Sequence, residues 1–231
     1  MIVNFIFAMI EGDIPIHILL LQLILSTLAL MMVFPVHECA HGLMALAFGD
    51  DTAKQQKRLT LNPLAHIDVK GFLFLLLFGF GWAKPVQFDP RNFKNRRVGT
   101  FFTAAAGPLS NMLFCFLSMV VYGIFTVLSF ENDSTWLTVA STVFYYISIY
   151  NATFAVFNLI PFPPMDGSKI VGELLPFRLR YRYYGLERYF YIFYIVLIVL
   201  INRLDFISIL SSGLINLFMP LVNIILGGIF G

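Results

Sequence analysis

The sequence predicts an all-α polytopic membrane protein, with about five transmembrane helices and a short re-entrant or interfacial β-hairpin region after the first. Three observations carry that prediction. Of 231 residues, 59% are hydrophobic and only 12% charged, against roughly 25% charged in an ordinary soluble domain. The mean hydropathy is +0.83 and 26 residues are Phe, a surface that would aggregate in water but faces lipid tails at little cost. Four runs carry no Asp, Glu, Lys or Arg: Ile14–His37 (24 residues), Val98–Phe130 (33), Ser134–Met165 (32) and Phe206–Gly231 (26). Each exceeds the ~20 residues needed to cross ~30 Å of hydrocarbon. A soluble enzyme and a disordered chain are thereby excluded. The 15 basic and 13 acidic side chains are too few and too balanced for a nucleic-acid footprint, so no nucleic-acid partner is expected. Cys39 and Cys115 make no disulfide framework.

Taken in chain order, Met1–Ile10 carries no basic residue and is followed by Glu11 and Asp13. That is unlike a cleavable signal, so the first span is expected to be retained. The stretch Thr52–Asp68 is too polar to cross. Its partial alternation, Arg58-Leu59-Thr60-Leu61, predicts a short strand or interfacial hairpin. Gly71–Ala83 (13 residues) is short, Gly-rich and stopped by Pro85, as in a re-entrant piece. Tyr189–Asn202 (14 residues) crosses only if Arg188 and Arg203 snorkel at its ends. With no internal repeat and no Pro/Ser-rich linker, residues 1–231 read as one domain.

Orientation follows from the basic residues, since positive loops stay cytoplasmic. Fourteen of the 15 lie within Lys54–Lys70, Lys84–Arg97 and Lys169–Arg188, whereas Glu131–Thr135 holds two acids and no base. The expectation is a multi-pass protein of the cell membrane, its N-terminus external and its chemistry toward the cytoplasmic side.

That chemistry starts in the first apolar run, at His37-Glu38-Cys39-Ala40-His41. Helical residues four apart share a face, so both imidazoles can reach one metal. Glu38, about 100° round the helix, can reach a water at that metal and act as general base. Two His and a Glu in an apolar helix cost several kcal/mol unless something binds them. Zinc suits imidazole and works catalytically with an open coordination position. Cys39 points away from the His face, so a third ligand must come from His17, His66 or Asp166. Asp166 follows Asn158-Leu159-Ile160-Pro161-Phe162-Pro163-Pro164-Met165, whose prolines forbid regular helix. Such backbone at membrane depth must be buried or line a cavity, where a carboxylate suits zinc. Asn158 is placed to hold this unwound backbone or to contact substrate. In Ala106-Gly107-Pro108-Leu109-Ser110-Asn111, small residues permit close helix approach and Asn111 puts an amide where it seeks a partner, a transmembrane substrate being the sharper reading. His66 reads as a structural hydrogen-bonding residue more than a ligand.

With these motifs in order (His37 to His41, Asn62-Pro63-Leu64-Ala65-His66-Ile67-Asp68, Gly107 to Asn111, and Asn158 to Gly167) the sequence resembles the site-2 protease family of intramembrane zinc metalloproteases over most of its length. The resemblance implies a three-helix catalytic core, within about residues 17–170. It implies one Zn2+ per chain held by His37, His41 and Asp166, Glu38 as base, and hydrolysis of transmembrane segments in regulated intramembrane proteolysis. It implies also that Asn111 faces the substrate. The chain is similar to the minimal prokaryotic form, without a PDZ or regulatory domain. Four His exclude a membrane di-iron oxidase, which needs about eight. A metal-binding transporter would have no use for Glu38 at this spacing. A catalytically inactive protein that binds membrane segments would keep the same motif and lack the activity.

Overall fold

Peptides in hydrocarbon must close their hydrogen bonds within their own segment, and the uncharged runs accordingly become helices. The computed structural model describes residues 15–78, 83–189, 192–193 and 206–230. Four of its helices are long and apolar enough to span a membrane: α1 (Ile16–Ala47), α5 (Arg96–Asn132), α6 (Thr135–Asn158) and α9 (Phe206–Phe230). Between α1 and α5 lie the short helices α2 (Thr52–Gln55), α3 (Pro63–His66) and α4 (Val69–Phe78); α7 (Asp166–Leu174) and α8 (Phe177–Tyr184) follow α6. The count of spanning helices among the described residues is four where about five were expected. The fifth expected crossing, 189–202, lies largely outside those residues.

Both faces of α1 are apolar, and size and polarity separate them. Leu20, Ile24, Leu28 and Met32 are exposed, while Ser26, Ala29, Val33, His37, His41 and Ala45 are buried at helical spacing. α5 buries a small-residue stretch, Thr103 to Gly107, against the same centre. Small side chains let backbones approach where lipid supplies no hydrophobic drive. α1, α5 and α6 pack on one another, and α9 lies against α5 and α6 through Cys115, Met119, Ala152 and Val222. Asn95 caps α5 by accepting the Val98 N–H at 3.2 Å, and Asp133, in the left-handed region at φ 46°, turns the chain into α6.

The expected hairpin after the first span does not form. Among the described residues there is no strand, only a single antiparallel bridge between Ile67 and Ala83. The reason is local: Asn62 accepts the Leu64 N–H at 3.1 Å with Pro63 at the first helical position, so helix-capping chemistry overrides the alternation. Lys57 breaks the strand path before it, at φ 56°. The described part of the expected re-entrant piece is the helix α4, ten residues or about 15 Å; residues 79–82 lie outside the described residues. After it, residues 84–89 run without helix as a strap held at both ends. The Lys84 backbone N–H donates to the His66 carbonyl at 2.7 Å. Asp89 N–H and Asn92 Nδ2 donate to the buried Asp50 carboxylate at 2.7 and 2.8 Å.

Candidate metal centre

His37 and His41 project from one face of α1 into the three-helix core, where they are 5% and 6% exposed. Asp166 meets them from 125 positions beyond His41. α6 ends at Asn158, the prolines at 161, 163 and 164 prevent its continuation, and α7 restarts at Asp166. This reversal is tight: a Cβ on Gly167 would collide with the Leu159 carbonyl and stand 2.7 Å from the Ile160 oxygen. Only glycine lets α7 start directly against the end of α6 and aim Asp166 back into the core.

The three ligand-type atoms form a nearly equilateral triangle. His37 Nε2 and His41 Nε2 are 3.1 Å apart, and Asp166 Oδ2 lies 3.2 and 3.0 Å from them. Zinc bonds of about 2.0–2.2 Å at tetrahedral angles set ligand atoms about 3.3–3.6 Å apart, slightly longer than these edges. One side of the triangle therefore fits an ion of that size. Among the described residues this is the group of three metal-ligating side chains brought together.

Helix α5 completes the site. His41 Nδ1 lies 2.7 Å from the Thr103 carbonyl oxygen, which can only accept, so Nδ1 carries the proton and Nε2 of the neutral ring offers its lone pair. One turn on, a Cβ at Gly107 would run into the His41 ring and stand 2.7 Å from His37 Cε1, so absence of a side chain makes room for both imidazoles. Another turn on, Asn111 Nδ2 lies 3.2 Å from His37 Nδ1. Lys169 Nζ is 3.3 Å from Asp166 Oδ1.

Glu38 stays out of the triangle. Its Oε2 accepts the Val86 N–H of the strap at 2.7 Å, which leaves the carboxylate buried and oriented beside the two histidines. The other candidates go elsewhere. His17 is exposed in the first turn of α1, twenty residues or about 30 Å of helix from His37. His66 is fully buried with Nε2 donating to the Thr60 carbonyl at 2.9 Å. Asn158 donates to the Phe154 carbonyl of its own helix at 3.1 Å. Asn111 is fully buried and faces a histidine instead of an open surface.

Three groups at the site escape sequence reasoning. Thr103 acts through a carbonyl, which every residue has. Gly107 looks like helix packing. Val86 contributes a backbone N–H from a segment 48 positions away. Beyond the centre, a groove of about 790 Å³ is bordered by Val86, Phe88, Arg96, Lys169, Glu173 and Arg180. Burial pushes the Glu173 carboxyl up, against the pull of Arg180, Arg97 and Arg96.

The sequence pattern of Peptidase family M50 matches residues 120–201, a stretch that contains Asn158 and Asp166. A Bacillus subtilis (strain 168) protein provisionally named zinc metalloprotease YwhC is 37% identical over 172 residues, which are 74% of this chain and 78% of that protein. No solved structure matches.

Proposed function

The chain belongs to peptidase family M50, the site-2 protease family, and on that premise we propose that it is an intramembrane zinc metalloendopeptidase that cleaves transmembrane segments of membrane proteins. The triangle of His37 Nε2, His41 Nε2 and Asp166 Oδ2, with edges of 3.0–3.2 Å, carries this reading. Two neutral imidazoles and one carboxylate would hold a single zinc per chain and leave one position open. When bound there, zinc lowers the pKa of a water toward about 7 and polarises the scissile carbonyl. Glu38 takes the proton of the attacking water and returns it to the leaving nitrogen. The Val86 N–H keeps the Glu38 carboxylate in one orientation for both transfers. The apolar walls of α1, α5 and α6 keep bulk water out, which strengthens each of these interactions. A substrate helix hides its peptide bonds in its own hydrogen-bond ladder, so the segment is cut where Gly or Pro lets it unwind.

Zinc analysis and proteolysis of purified variants test the reading together. His37→Ala, His41→Ala and Asp166→Ala lose the metal and the activity, while Glu38→Ala keeps about one zinc per chain and loses activity. Zinc loss in Glu38→Ala as full as in His37→Ala would remove Glu38 from the role of base. Normal zinc in Asp166→Ala would leave the triangle without its third ligand.

A further inference from the structure

Thr103, Gly107 and Asn111 stand at i, i+4 and i+8 on α5, one stripe along the helix. The first holds His41 by its carbonyl and the second leaves room for both rings. Asn111 is 0% exposed, with its amide 3.2 Å from His37 Nδ1 and its Oδ1 without a hydrogen-bond partner. A neutral imidazole has one donor nitrogen and one acceptor nitrogen. Serving as a zinc ligand through Nε2, His37 carries its proton on Nδ1. An amide NH2 opposite that N–H would set two donors against each other. A half-turn of the amide about its last bond exchanges nitrogen for oxygen within the same volume. Either orientation leaves one end of the amide short of a partner, so the contact with His37 decides between them.

We propose that Asn111 is a positioning residue: its Oδ1 accepts the Nδ1–H of His37, which fixes the tautomer and ring orientation that present Nε2 to the metal. The assignment rests on the zinc reading of the site. It departs from a substrate-facing role, because a side chain enclosed between α1 and α5 has no face left for a peptide. His37 and His41 are then served alike, each by an oxygen acceptor from α5, the one a side-chain amide and the other a main-chain carbonyl.

The test measures zinc affinity of the full-length protein in detergent, by competition with a chromophoric chelator. Asn111→Leu removes the acceptor and keeps the bulk; it is expected to bind zinc 10–100-fold more weakly, the usual scale for losing a partner behind a ligand. Asn111→Asp keeps an oxygen at the same place, and its affinity stays within about threefold of wild type, as carboxylate partners serve zinc-bound histidines well. Asn111→Ala replaces the Leu variant if that one fails to insert. Wild-type zinc affinity in the Leu or Ala variant overturns the assignment, as does an Asp variant that folds and is as weak as Leu, since shape and not the acceptor would then matter. A wild-type protein that takes up no zinc overturns the metal site itself, and this assignment with it.

Discussion

At the scale of single residues, the centre is held by what side chains do and by where one is missing. Gly107→Ala is the sharpest demonstration. The added Cβ would meet the His41 ring and His37 Cε1, both on a helix packed too closely to retreat. The variant is expected to insert and keep its helix content, yet to bind zinc roughly tenfold more weakly or worse, the scale of disturbing a ligand's supporting shell; chelator competition measures it. His37, Glu38 and His41 were legible because a spacing of four on a helix is itself a geometric statement. Asp166 was legible from its prolines and Gly167, which announce a reversal without giving its direction. Thr103 and Val86 were illegible for a physical reason: each acts through its main chain, which has no letter in the sequence.

At the scale of elements, the strap shows how a loop is tied to the centre. Asp50, fully buried just past the end of α1, accepts from Thr52 N–H and Oγ1, Asp89 N–H and Asn92 Nδ2. Burial pushes its carboxyl up, but the hydrogen bonds from Thr52, Asn92 and Asp89 outweigh burial and hold it below the ordinary value. A depressed folded pKa means the stabilisation is complete above the unfolded value of about 3.9 and is lost as pH falls through the lower folded one. Protection of the amides across Val86–Asn92, taken relative to their intrinsic exchange rates, is therefore expected to fall on acidification below about pH 4, before that of α6. Asp50→Ala strands several donors and is expected to cost about 1–3 kcal/mol of local stability at neutral pH, read from the same amides. The long helices themselves were plain from the uncharged runs. The hairpin was misread because Arg58-Leu59-Thr60-Leu61 alternates without a partner strand, and the partner that region does find, Ala83 bridging to Ile67, is remote in sequence.

At the scale of the whole molecule, one centre forms because two helices run the same way. α1 and α6 run side by side in the same sense, with Phe34 against Phe154, after α5 has returned the chain, so parallel spans bring His41 and Asp166 together across 125 positions. The acidic junction of α5 and α6, Glu131 to Thr135, then lies at the end of α5 opposite Arg96. Because 14 of the 15 basic residues fall in the segments 54–70, 84–97 and 169–188 and positive segments stay cytoplasmic, the turn is expected outside the cell and the centre toward the cytoplasm. His41 stands six residues, about 9 Å, inside the end of α1, so the centre is expected to lie nearer the cytoplasmic face than the external one. Single engineered cysteines decide this once Cys39 and Cys115 are replaced by Ala. A label that cannot cross the membrane is expected to react with Ser134→Cys in intact cells. Lys94→Cys is expected to react only after the cells are opened. Reaction of Lys94→Cys in intact cells, with Ser134→Cys silent, would turn the molecule over and put its chemistry at the external face.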